Sequence, residues 1–157
     1  MALTISSPSF DINAAIPDKH ARDGRNLSPE LQWSGAPEAT RSFALIVEDP
    51  DAPSGMFRHW ALFDIPGDRT GLREGENADA FGQALNDFGT KDYEGPQPPQ
   101  GHGVHHYHFR LAALDTDHAR GISGDASAAN MWDKVQPHII EEAETVGTYE
   151  NAMAPAD

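Results

Sequence analysis

The sequence predicts a mainly β fold, β-rich α+β in class, and three observations carry that prediction. Glycine and proline are frequent, 14 and 12 of 157 residues, so turns punctuate the chain at short intervals. Three short apolar runs, each closed by turn-forming residues, come first. The strongest helical periodicity comes last. Strands followed by a late helix argue against a repeating βαβ order.

Each element has a local reason. "NLSPELQWSGAP" (26–37) is a turn-rich lead-in. "RSFALIVEDP" (41–50) carries an apolar run from Phe43 to Val47 that Asp-Pro stops, which suits a buried strand. In "DPDAPSG" (49–55) two prolines and a glycine exclude a helix and require a defined loop. "HWALFDIP" (59–66) is a second strand, and the polar stretch from Gly67 to Gly95 reads mostly as loop. "HHYHFRLAALD" (105–115) is a third strand. Its alternation points His105, Tyr107, Phe109 and Leu111 to one face and His106, His108 and Arg110 to the other.

A helix follows, with Ser127 or Asp125 available as N-cap. Met131, Val135, Ile139, Ala143 and Val146 form one apolar stripe. Pro137 interrupts it, which predicts a kink or a second short helix with Pro137 in its first turn. "TVGTYE" reads as a short closing strand.

The length suits one domain over residues 1–157 with its own core. The absence of cysteine excludes disulfides, thiolate metal sites and cysteine nucleophiles. A formal net charge of −14 opposes binding to nucleic acid and stable association with anionic membranes. No apolar run is long enough to span a bilayer, and "MALTISSPSF" lacks the parts of a signal peptide. A cytoplasmic location is the expectation.

"GPQPPQGHGVHHYHF" (95–109) holds four of the eight histidines and raises the question of a metal. Strand alternation separates His105 from His106 and His108. The spacing also matches no strong metal motif. No metal or cofactor is therefore expected, and His102, His106 and His108 read as surface or internally satisfied residues.

Asp49 and Asp51 bracket Pro50, and such carboxylates either serve acid–base chemistry or make Asx turns. His59 opens the second strand. A carboxylate opposite it would raise its pKa and make it a cationic donor. Tyr107 offers a hydroxyl, and backbone N–H groups around Gly101 and Gly103 offer further donors. No nucleophile elbow, phosphate-binding P-loop or dinucleotide motif is present.

"DPDAPSG", then "HW", then "GPQPPQGHGVHHY" resemble the two signature regions of the phosphatidylethanolamine-binding proteins, which include the Raf kinase inhibitor proteins and bacterial relatives. "LSPELQWSGAPEATRSFALIVEDPDAP", "FRLAALD" and "HIIEEAETVGTYE" extend the resemblance over most of the chain. It implies a large antiparallel sheet packed on a smaller one, with a few peripheral helices. It also implies a non-enzymatic binding protein whose pocket takes phosphate or a phosphorylated headgroup such as phosphoethanolamine.

Carried over by position, that pocket uses Asp49, Asp51, Pro53, His59, Pro98, Pro99, Gly101, His105 and Tyr107. In this reading the aspartates orient and charge the histidines, His59 and His105 donate to the anion, and Tyr107 completes the ring. The resemblance further implies a homodimer. It permits an alternative, inhibition of a partner kinase or protease through the pocket rim. A third reading, a metal-dependent hydrolase, rests on the histidine cluster alone. Three departures stand out. His106 occupies a position where the family usually has Arg, Arg58 adds positive charge near the mouth, and Pro137 breaks the late helix.

Overall fold

The computed structural model describes residues 2–151. Along the chain come β1 (Thr4–Ser6), β2 (Leu31–Ser34), β3 (Ser42–Asp49), β4 (Phe57–Pro66), β5 (Gly71–Leu72), β6 (Gly82–Gln83), β7 (Val104–Leu114), the helix α1 (Ala128–Val135) and β8 (Ile139–Glu150). The strands form two antiparallel sheets. The larger has the order β6-β4-β3-β7-β8 and the smaller β1-β2-β5.

β3 lies at the centre of the larger sheet and is buried along its whole length. Phe43, Leu45 and Val47 pack with Tyr107, Phe109 and Leu111 against Ile5, Leu31 and Trp33 of the smaller sheet. Ala44, Ile46 and Ala112 lie on the other face, under Met131, Trp132 and Val135 of α1. Cover on both faces explains why Phe43–Val47 is a continuous apolar run and not an alternating one. Each large side chain buried there contributes about 1.5–3 kcal/mol.

β7 alternates as its sequence predicts. His105, Tyr107 and Phe109 are buried, while His106 is exposed and His108 and Arg110 are half-buried.

β4 does not alternate regularly. Val47 pairs with Trp60, but the next residue, Glu48, pairs with Arg58, so His59 is the extra residue of a β-bulge. Trp60 therefore joins the core between the sheets, while Arg58 turns to the opposite face and bonds Glu48 at 3.2 Å. A second irregularity lies around Asp64, which adopts a positive φ of 55°.

The late helix corrects the sequence reading. Ser127 is the N-cap, its hydroxyl accepting the Asn130 N–H at 3.1 Å. α1 ends at Val135, and Pro137 sits as expected in the first turn of a second short helix, the 3-10 turn Gln136–His138. Ile139, Ala143 and Val146 are not helical. They belong to β8, which pairs with β7 from Val104 opposite Glu150 to Leu114 opposite Ile139. Residues four apart share a side in a helix and also in a strand of period two, so the stripe from Met131 to Ala143 fits both, and only the three-residue step to Val146 separates the two. The β-branched content of 139–148 and the missing N–H of Pro137 favour the strand. "TVGTYE" is thus the second half of a 12-residue strand.

The N-terminal segment closes over that half: the Ile16 N–H donates to the Thr148 carbonyl at 2.7 Å. Gly147 makes the close approach possible, because a Cβ there would lie 2.5 Å from Ile16 Cγ1.

Candidate functional site

At one end of β3, β4 and β7 the inner face of the large sheet opens into a cavity of about 260 Å³. Pro53, Pro98 and Pro99 wall it, together with Phe57 and Phe88. Asp49, His59, His105 and Tyr107 also line it, and all four are buried. Burying that many polar groups is costly unless they are hydrogen-bonded, and both carboxylate oxygens of Asp49, both ring nitrogens of His105 and Nδ1 of His59 have protein partners.

Asp49 ends β3. Its Oδ1 accepts the Asp51 N–H at 2.8 Å, an Asx turn, and its Oδ2 accepts from His105 Nδ1 at 2.6 Å. The other His105 nitrogen, Nε2, lies 2.7 Å from Nδ1 of His102. The sequence reading has His105 donating to a ligand, but in the structure both of its nitrogens already have protein partners.

His59 Nδ1 donates to the Glu94 carbonyl at 2.8 Å. Its ring packs against those of Phe57, Tyr107 and Phe88, with centroids 5.1, 5.2 and 5.5 Å away. Burial pulls the His59 pKa below the ordinary histidine value, and the raising effects of the Glu94 carbonyl and the Asp49 carboxylate do not reverse this. The expectation of a raised pKa and a resting cationic donor is therefore overturned, because desolvation outweighs the neighbouring carboxylate. Burial and then Asp49 push the Tyr107 phenol strongly upward, so it keeps its proton as a donor.

Two of the sequence-derived positions do not line the cavity. Asp51 turns outward beyond Pro50, where its Oδ2 accepts both the backbone N–H and the ring Nδ1–H of His106, each at 2.8 Å. Desolvation is the largest single effect and raises the Asp51 pKa, but the two bonds and the charge of His106 together outweigh it and hold the pKa below the ordinary carboxylate value. Gly101 adopts a positive φ of 74°, and its N–H donates to the Asn151 carbonyl at 2.9 Å, so it is not an open donor. Arg58 does not charge the mouth either. The bulge at His59 sends it to the outer face, where it and Arg110 flank buried Glu48.

Phe88 and Gln97 also line the cavity and escape a reading of the sequence. Arg22 connects both to a distant loop. Its guanidinium lies 4.2 Å above the Phe88 ring and donates to Gln97 Oε1 at 2.7 Å and to Glu94 Oε1 at 3.2 Å. No periodicity in 67–95 signals Phe88. Its loop is tied to β4 by the Asp87 N–H donating to the Arg58 carbonyl at 2.9 Å and to Asn86 by its own N–H, and Arg22 of the 18–27 segment covers its ring.

Among the described residues no three His, Asp or Glu side chains gather as a metal site. The histidine cluster resolves into three groups: His105 with Asp49 and His102, His106 with Asp51, and His108 with Glu144 at 3.2 Å. A second cleft of about 360 Å³ is lined by Glu76, Asp79, Asp92 and Lys91 among others. Glu76 is already bound to Arg69 and the Arg73 N–H. The smaller cavity is the better candidate, because buried polar groups from three strands converge there.

The phosphatidylethanolamine-binding protein profile matches residues 6–150. The chain belongs to that family. It is 41% identical to a UPF0098 protein of Methanothermobacter thermautotrophicus over 152 residues, 94% of this chain and 98% of the relative. A UPF0098 protein of Aquifex aeolicus is 38% identical, with 94% and 88% covered. Among solved structures, Escherichia coli YbcL, described as a member of the mammalian PEBP family, superposes with a TM-score of 0.89 at 31% identity, covering 96% of this chain and 99% of that one. The PEBP homologue CT736 of Chlamydia trachomatis gives 0.84 at 33% identity, with 95% and 97% covered. The two-sheet architecture is thus that of the phosphatidylethanolamine-binding proteins. No helix among the described residues is long and apolar enough to cross a membrane.

Proposed function

We propose that the cavity binds a small ligand with an anionic end, phosphate or a phosphorylated headgroup such as phosphoethanolamine. One observation carries the reading: His59, Tyr107 and the Asp49–His105 pair converge from three strands in a cavity otherwise walled by proline and phenylalanine. Small-molecule sites commonly combine apolar walls with a few convergent polar groups.

The arrangement deals with the charge of Asp49. Both of its oxygens accept hydrogen bonds, one from Asp51 N–H and one from His105. Tyr107 brings an O–H donor. His59 spends its Nδ1–H on Glu94, so its Nε2 carries a lone pair when the ring is neutral and donates only once protonated. An anion meeting Nε2 therefore favours proton uptake, and binding strengthens toward acid. The proline and phenylalanine walls suit an organic portion next to the anionic group.

Calorimetric titration with phosphate and with phosphoethanolamine between about pH 5 and pH 8 tests the reading, since histidine changes charge across that interval. Affinity rises as pH falls, and His59→Phe weakens it. An absence of heat throughout the range rejects the proposal.

A further inference from the structure

His105 joins the buried cavity to the protein surface. Asp49 Oδ2 and His105 Nδ1 are 2.6 Å apart, and both residues are buried. His105 Nε2 and His102 Nδ1 are 2.7 Å apart, with the two rings 4.9 Å apart, and His102 is exposed. His102 is held in place by its loop. It stands between Gly101 and Gly103, whose φ values of 74° and 98° suit glycine. The His102 N–H donates to the Pro99 carbonyl at 3.0 Å, which ties the loop to the cavity wall.

A nitrogen–nitrogen hydrogen bond holds one proton between the two rings. Since His105 donates Nδ1–H to a carboxylate, the neutral arrangement has His102 Nδ1–H donating to His105 Nε2. One proton added from solvent at His102 Nε2 changes that arrangement without leaving any atom unbalanced. The Nδ1 proton of His102 passes to His105 Nε2. His105 becomes an imidazolium between Asp49 and His102, and His102 remains neutral with its proton now on Nε2. The Asp49–His105 unit thereby goes from net negative to net neutral. A neutral unit no longer repels an anion placed beside it, where the buried side chains are poorly screened by water.

We propose that Asp49, His105 and His102 form a proton-uptake relay for the cavity. His102 is the positioning residue that accepts the Nε2–H of the His105 imidazolium when an anion is bound. The proposal rests on the anion reading above and adds to it a residue outside the cavity lining and a proton stoichiometry. Other ionisable groups near His105 are Asp51 on the loop after β3, His59 on β4, Tyr107 on β7, and Tyr149, its register partner on β8. His59 has its own bonding to Glu94, so its ring nitrogens report separately.

Ring-nitrogen NMR of the full chain, with and without inorganic phosphate, tests the relay in wild type, His102→Ala and His102→Gln. Saturation with phosphate near pH 7 converts His105 Nε2 from a lone pair to an N–H. His102→Ala weakens phosphate binding about tenfold at that pH, and the pH range of binding moves acidward by about one unit. His102→Gln, whose amide oxygen accepts the same N–H, restores most of the affinity. A His105 Nε2 signal that phosphate leaves unchanged overturns the proposal, and so does one pH profile shared by wild type and His102→Ala. If wild type binds no phosphate, the anion reading fails by itself. The ligand-free acid titration of His105 then decides the relay: a shift in His102→Ala supports it, and identical titrations sink it.

Discussion

Two neighbouring pairs, His105–Asp49 and His106–Asp51, have the same chemistry and almost the same geometry, 2.6 and 2.8 Å between ring nitrogen and carboxylate. They differ in surroundings. The side chains of the first pair are 2% and 3% exposed, those of the second 48% and 40%. Consecutive residues of β7 point to opposite faces, and on the other side Asp49 ends a buried strand while Asp51 has passed Pro50 into the loop. Residue type therefore does not distinguish a site from a surface contact here. Burial does, because removing water raises both the strength of the pair and the cost of breaking it.

The sharpest way to break this comparison is Asp49→Ala, which leaves His105 buried without its acceptor. Denaturant unfolding should show a loss of about 1–3 kcal/mol, the cost of an unsatisfied buried donor. A loss below about 1 kcal/mol would mean that the two pairs are energetically alike. The cavity residue His59 sharpens the comparison through pH. Its folded-state pKa lies below the unfolded value, so the unfolded chain binds the extra proton first. Stability should fall as pH drops below about 6.5, the ordinary histidine value. In His59→Gln the acid limb of a melting-temperature profile becomes shallower, and an unchanged limb contradicts the burial argument.

The smallest effect belongs to the exposed pair. His106→Ala should cost no more than about 1 kcal/mol, and less in high salt. Asp51 has a depressed pKa, so its contribution is present above the unfolded value of about 4 and fades as pH falls through the folded one. A double-mutant cycle of Asp51→Asn with His106→Ala measures that coupling directly. A value rivalling the loss in Asp49→Ala would erase the distinction between the pairs.

The legible parts of the molecule are those governed by neighbours along the chain. The apolar run of β3, the alternation of β7 and the Ser127 cap all follow from local periodicity or stereochemistry. The helical stripe misled because a four-residue step is compatible with both periods, and only pairing of β8 along β7 decides between them. At the cavity, the resemblance to known signatures pointed to Asp49, Pro53, His59, Pro98, Pro99, His105 and Tyr107, and the structure places each along the wall or floor. The same motifs could not show that Asp51 leaves the cavity for His106 or that the Gly101 N–H is already bonded.

By itself, then, the sequence determined a β-rich chain with a late helix, which faces of β7 are inside and outside, and a proline-rigidified stretch next to a histidine cluster. These depend on φ restriction and side-chain alternation, which act over a few residues. The tertiary structure alone decided that a bulge brings His59 to the cavity, that Phe88 and Gln97 line it in contact with Arg22, and that His102 reaches the far nitrogen of His105. Strand register and loop docking depend on contacts between segments far apart in the chain, and no local pattern encodes them.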